Sequence, residues 1–194
     1  MAIHERARGA TARWGALGLL GAALATGVAG CEDASVITHT SRETSLSRTT
    51  VQALALGGLP TEIHGRPWRG TNPREIAAQL RLPNAFPPDA RFRLVEPVSN
   101  PSDRNRRLVL VFNESRTLDA WDVCDAARTL RGFESQFSGD KGVSVFAVFC
   151  DGEAPIGRGQ LRAPGVVHGD WPSFQNEMRR LIRAIVTDPS ADTR

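Results

Sequence analysis

Two stretches of the chain are apolar at nearly every position, residues 107–113 (RLVLVFN) and 142–150 (GVSVFAVFC). A strand buried on both faces reads this way, because neither side of its pleat meets water. Residues 91–95 (RFRLV) alternate instead, as a half-exposed strand does. Asp151-Gly152 predicts a turn, after which 157–163 returns as a polar edge strand. Helical periodicity is clearest near the C-terminus. There Phe174, Met178, Leu181, Ile182 and Ile185 share one face, behind a cap at Asp170 or Ser173. Asn72-Pro73-Arg74-Glu75 predicts a second helix, in which Asn72 caps, Pro73 fits the first turn and Glu75 returns the capping bond. It runs to about Arg81, and Pro83 forbids its continuation. Thr117 opens a helix expected to reach Arg131 and stop at Gly132.

From residue 91 the order is therefore ββαββα. The two apolar strands are linked by a helix, so they are expected to lie parallel and adjacent through a right-handed crossover. Each has a more polar neighbour in sequence that can pair with it antiparallel. The predicted fold is an α/β two-layer sandwich, a mixed four-stranded sheet with its helices on one face, over residues 61–194. Upstream, residues 34–50 hold nine Ser or Thr in 17 positions without an apolar period, which predicts a flexible tether spanning 31–60. Within it VQALAL (51–56) has the apolar content of a short helix or an edge contact, stopped by Gly57-Gly58 and Pro60.

Residues 1–13 carry three arginines and one glutamate, and residues 14–30 carry no charge and are rich in Leu, Ala and Gly. These are the charged and apolar regions of an export signal. With 17 residues, five of them glycine, the stretch is short and weakly apolar for a transmembrane anchor. It ends at Val28-Ala29-Gly30-Cys31. That tetrapeptide resembles the lipobox of bacterial lipoproteins: an aliphatic residue, two small residues, then cysteine. The resemblance implies that Cys31 receives a thioether-linked diacylglycerol and, after cleavage of 1–30, becomes the acylated first residue of a 164-residue chain. Two or three acyl chains hold a protein on a bilayer where one holds it only marginally. Glu32 is not the aspartate that retains some lipoproteins at the inner membrane, which favours the outer membrane.

Charge adds little beyond this. The formal net charge is +3, from 24 Lys or Arg against 21 Asp or Glu. Without residues 1–30, 21 basic and 20 acidic side chains remain, so the body is near neutral and offers no electrostatic case for nucleic acid. Nearly all the cations are arginine, with Lys141 the single lysine. Arg104, Arg106 and Arg107 read as a solvated loop. Arg179, Arg180 and Arg183 favour the C-terminal part of their helix, and either group could meet anionic lipid or a protein partner.

Outside the cytoplasm, Cys124 and Cys150 are expected to form a disulfide, since they fall on neighbouring core elements. No Cys-x-x-Cys is present, so a redox-active pair is not expected. His168-Gly169-Asp170 is the one place where a histidine and a carboxylate adjoin, and the pair could serve acid–base chemistry or hold a metal. Its position at a loop-to-helix junction makes Asp170 a cap first. Asp119, Asp122 and Asp125 repeat every three residues and spiral around a helix, so no metal site is expected there. Gly157-Arg158-Gly159 reads as hairpin chemistry, because phosphate-binding loops space their glycines more widely before a helix. Trp68, in a Gly/Pro-rich loop, is the candidate partner-facing anchor.

The expected function is that of a lipid-anchored cell-envelope lipoprotein with a non-catalytic binding or assembly domain and no cofactor. Its partners would be the membrane, through Cys31, and an envelope protein. Two alternatives are an envelope hydrolase using His168 and Asp170, and a glycan- or peptidoglycan-binding protein using Trp68 and Trp171 as an aromatic platform.

Overall fold

The computed structural model describes residues 34–43, 45–96, 106–113, 118–125 and 142–186. All fall within one unit, Glu32–Arg194. The elements are β1 (Val36–Arg42), α1 (Arg48–Leu56), β2 (Leu59–His64), α2 (Pro73–Gln79), β3 (Phe92–Leu94), β4 (Arg107–Phe112), α3 (Ala120–Cys124), β5 (Val143–Asp151), β6 (Ala154–Ala163) and α4 (Trp171–Val186). The strands form one mixed sheet in the order β1-β6-β5-β4-β2-β3. β2 runs parallel to both β3 and β4, and the other pairings are antiparallel.

The fold is α/β with a mixed sheet, but the sheet has six strands rather than four. Of the two extra strands, β1 comes from residues expected to be tether, and β2 starts at the end of that segment and runs into the expected domain. β1 pairs with β6, from Val36 opposite Arg162 to Arg42 opposite Gly157. Its side chains are mostly exposed, so it needs no apolar pattern: its backbone pairs with β6, Ile37 packs on the core, and Arg42 donates to the Val186 carbonyl at 3.0 Å. His39 has φ of 54° and the register shifts between Thr38 and Ser41. Such a bulge twists the outer edge and discourages pairing with another chain. α1 follows, capped by Ser47, whose hydroxyl accepts from the Thr50 amide at 3.1 Å, and it buries Val51 and Ala55.

Strand direction also differs from the expectation. β4 and β5 are adjacent but antiparallel, with Phe112 opposite Val145 and Arg107 opposite Cys150. The chain re-enters the sheet at the end where β4 leaves it. A run apolar on both faces reads the same in either direction, so its pattern carries no information on polarity. β3 pairs with β2 and not with β4. The parallel crossover is instead β2–α2–β3, where Asn72 caps α2 by accepting from the Glu75 amide at 2.9 Å.

Helices pack on both faces among the described residues. Leu108, Leu110 and Phe112 of β4 and Val145, Ala147 and Phe149 of β5 meet α1, α2 and α4. Val109, Val111, Val148 and Cys150 point the other way, toward Ala120, Val123 and Cys124 of α3. α4 buries the five residues its periodicity singles out, together with Val186. β6 is interior to the sheet, and Gly157 and Gly159 lie along it rather than in the hairpin turn, which Asp151–Ala154 supplies. A Cβ at Gly157 would strike Leu46 and Ile185, and one at Gly159 would sit 3.0 Å from Ile185 and 3.1 Å from Leu181. The bare backbone of β6 is what lets α4 lie flush on the sheet. The helix expected over 117–131 is seen as α3, capped by Asp119, and the rest of its span lies outside the described residues.

Candidate functional site

The most concentrated polar group of the described chain is buried beneath α3. Strand alternation sends Glu62 and His64 of β2 and Arg107 of β4 to the same face as Val109 and Val111. Glu62 is fully buried, and His64 and Arg107 are nearly so. One Glu62 carboxylate oxygen lies 2.8 Å from His64 Nε2, and the other accepts from Arg107 Nε at 3.0 Å. The rest of the guanidinium donates to the Gly152 carbonyl at 2.9 Å and to the Cys124 carbonyl at 2.7 Å. Burial alone would push the Glu62 carboxyl up. The hydrogen bond and charge of His64 and those of Arg107 reverse this and hold it below its ordinary value. Glu62 is therefore a carboxylate at neutral pH.

The expected disulfide is present. Cys124, which ends α3, is bonded to Cys150 on β5 with a Cα–Cα distance of 5.6 Å. Cys150 lies opposite Arg107 in the β4–β5 ladder. Arg107 thus fastens β2, α3 and the β5–β6 hairpin at one point. A carboxylate-held imidazole is half of a general-base arrangement. Among the described residues, however, His64 hydrogen-bonds only Glu62, with no hydroxyl or thiol in reach. Sequence reasoning missed this group. Glu62 and His64 sit just past Pro60, in a stretch without a strand pattern, and Arg107 reads in sequence as one of three solvated arginines. The one available signal was an arginine directly abutting a fully apolar run.

His168 and Asp170 lie in the loop between β6 and α4, each with its own partner. His168 Nε2 is 3.2 Å from the Arg69 carbonyl, and Asp170 accepts from the Ser173 amide at 3.1 Å as the cap of α4. The hydrogen bonds from Ser173 hold the Asp170 carboxyl below its ordinary value. Trp68 is not an exposed anchor. It is 1% exposed, wedged between Trp171, Phe174 and the edge of His168 at ring-centre distances of 4.8, 5.6 and 5.8 Å. A loop dense in Gly and Pro looks solvated in sequence, but here it folds its one large side chain under α4. Its indole nitrogen has no hydrogen-bond partner among the described residues. Among the described residues the exposed tryptophan is Trp121 on α3, at 60%. It borders a groove of about 250 Å³ with Ser41, Glu43 and Arg158.

Arg179, Arg180 and Arg183 do come together, lining a groove of about 300 Å³ on α4 with Asn84 and Asn176. Arg180 is paired with Glu177 at 2.8 Å, and Arg179 donates to Asn176 at 2.7 Å. No group of three or more metal-ligating side chains occurs among the described residues, and none of their helices is long and apolar enough to cross a membrane. Cys31 lies outside the described residues.

No protein-family model matches the chain, and no curated protein matches it. Among solved structures, the PelC dodecamer from Paraburkholderia phytofirmans is similar over 80% of this chain and 99% of its own, at 12% identity and a TM-score of 0.37. A likeness of that size carries no conclusion about fold or function.

Proposed function

We propose that the chain is a lipoprotein of the cell envelope, anchored through Cys31, whose folded unit is a non-catalytic binding or assembly module facing the periplasm. The observation that carries this reading is Val28-Ala29-Gly30-Cys31 behind an uncharged apolar run. The Cys124–Cys150 disulfide supports it, since such bonds persist in oxidising compartments reached by export. The outer membrane is favoured because Glu32 follows the cysteine. The non-catalytic character is supported by how the polar groups are used. Glu62 and Arg107 fasten the fold, Asp170 caps a helix, and His168 bonds a backbone carbonyl. The burial of Trp68 counts against the aromatic platform that a glycan-binding reading placed there.

The test is metabolic labelling with a fatty-acid probe. Wild-type protein takes up label and Cys31→Ala does not, accumulating instead as precursor. Equal labelling of both would reject the anchor.

A further inference from the structure

We infer that the groove between α3 and the paired ends of β1 and β6 is a saccharide site, in which Trp121 is the platform for one pyranose ring of a neutral glycan and Ser41, Glu43 and Arg158 bond its hydroxyls. The inference deepens the binding-module reading and rests on it. Its starting point is a tryptophan that the core does not use. α3 buries Ala120, Val123 and Cys124 against the sheet. Trp121 is outside that cluster and 60% exposed. An indole has much apolar surface to keep in water, so an exposed one is informative where a small aliphatic side chain is not.

Both walls of the groove are fixed before any ligand arrives. The Trp121 amide donates to Asp119 Oδ1 at 2.9 Å, and its carbonyl accepts from the Asp125 amide at 3.0 Å. Cys124, on the same short helix, is bonded to Cys150, and its carbonyl accepts from Arg107 at 2.7 Å. The facing wall is strand. Arg42 pairs with Gly157, and the Glu43 amide donates to the Ile156 carbonyl at 2.9 Å. A site held in this way spares a ligand the entropy of ordering it.

The groove holds about 250 Å³ and is lined by Ser41, Glu43, Trp121, Pro155 and Arg158 among others. Clefts for drug-sized ligands hold about 300–1,000 Å³, so this one is sized for a single ring of a longer chain. Arg158 Nε donates to the Ser41 hydroxyl at 3.1 Å, which leaves the Ser41 proton and the terminal guanidinium nitrogens to donate. The Glu43 carboxylate is exposed and has no hydrogen-bond or ion-pair partner among the described residues. Arg42 also borders the groove but already donates to the Val186 carbonyl at 3.0 Å, so no part is given to it.

A sugar ring matches this set. Its slightly positive C–H groups stack on the negative face of an indole, and the hydroxyls around its rim both donate and accept. A carboxylate accepts from two neighbouring hydroxyls, and a guanidinium donates to two oxygens. The available groups are one carboxylate and one guanidinium, so the groove selects neither a polyanion nor a polycation. Glu43 is the single carboxyl among the described residues that line it, whereas glycoside hydrolysis takes two, so the site binds without cutting. A protein partner is less well matched. The other large apolar side chains exposed among the described residues are Val36 at the far end of β1, Leu56 on α1 across the sheet and Val167 beyond β6. Trp121 therefore lacks the apolar surround that an interface of about 800 Å² per partner carries at its centre.

The experiment titrates the mature protein, in a detergent without a sugar headgroup, with cellohexaose, maltohexaose and fully acetylated chitohexaose as neutral probes and polygalacturonate as a charged one. Calorimetry and tryptophan emission are the readouts, and intact mass reports the lipid on each preparation. At least one neutral probe should bind and shift the emission to the blue, and Trp121→Ala should weaken it by about tenfold or more. Glu43→Gln and Arg158→Ala should each weaken it several-fold, and Trp121→Phe should keep part of the affinity. All four variants should hold the wild-type thermal midpoint, because these side chains are exposed. Lipidated protein that responds to no probe, or to polygalacturonate alone, would overturn the saccharide site and leave the anchor standing. Binding unchanged in Trp121→Ala would overturn it too, as would wild-type self-association that Trp121→Ala abolishes. Neutral-glycan binding by protein without lipid would support the site and reject the anchor alone.

Discussion

Replacing Arg107 with methionine removes a charge from a pair that water does not reach. Its neighbour Arg106 makes a paired comparison. Arg106 bonds Asp151 at 2.8 Å, but both side chains are about two-fifths exposed, at 38% and 43%. Arg107 bonds Glu62 at 3.0 Å with side-chain exposures of 4% and 0%. An exposed pair contributes about 0–1 kcal/mol, because water and salt screen it and its side chains lose entropy. Breaking a buried pair costs roughly 3–5 kcal/mol, and here the remaining carboxylate would lose its guanidinium and keep only His64. The carbonyls of Cys124 and Gly152 lose donors as well, so the upper part of that range is expected. For a unit of about 160 residues each kcal/mol moves the midpoint by about 2–4 °C, so Arg107→Met should lower it by roughly 10–15 °C and Arg106→Met by about 2 °C. pH supplies a second readout. In the wild type Glu62 titrates below 4.5 in the folded state, so its contribution is present above pH 4.5 and is lost as pH falls through the lower folded value. In Arg107→Met, burial is opposed only by His64, and the carboxyl rises. The variant therefore loses less of the carboxylate's contribution than the wild type does as pH falls, so the gap between them should close on acidification. Urea denaturation of both proteins from pH 7 to pH 3 measures this. A cost under about 1 kcal/mol at pH 7, or one independent of pH, would refute the reasoning.

Three further outcomes follow from the packing. Cys124→Ala with Cys150→Ala, opening a loop with sequence separation 26, should destabilise by about 3–4 kcal/mol in the chain-entropy model, read by urea melts against the wild type. A chain beginning at Thr61 should lose cooperative unfolding by circular dichroism, because it lacks β1, α1 and the buried Leu46, Val51 and Ala55, whereas one beginning at Glu32 should unfold in a single transition. Gly157→Val should cost about 1–3 kcal/mol by overpacking against Leu46 and Ile185, while Arg158→Val, exposed between the glycines, should cost little, both read as thermal midpoints.

The sequence by itself determined what depends on near neighbours along the chain. The apolar stripe of α4 follows from a 3.6-residue repeat, and the caps at Asn72 and Asp170 from side chains reaching amides three residues on. The buried strands β4 and β5 announce themselves because residues 108–112 and 145–150 are apolar on both faces. Cys124 and Cys150 could be paired because they fall on neighbouring core elements and Cys31 is the one other cysteine of the chain.

Tertiary structure decided everything that requires a partner distant in sequence. β1 has no apolar pattern because it is an edge strand, and its order comes from amides and carbonyls of β6, about 120 residues away. The direction of β5 against β4 is invisible in two runs that are apolar on both faces. Trp68 looked exposed because its loop is polar and flexible in composition, and only the arrival of Trp171 and Phe174 on α4 covers it. Glu62, His64 and Arg107 carry ordinary surface residue types. Each becomes tolerable in the interior only because the others neutralise it, and that compensation exists only once β2 and β4 lie side by side.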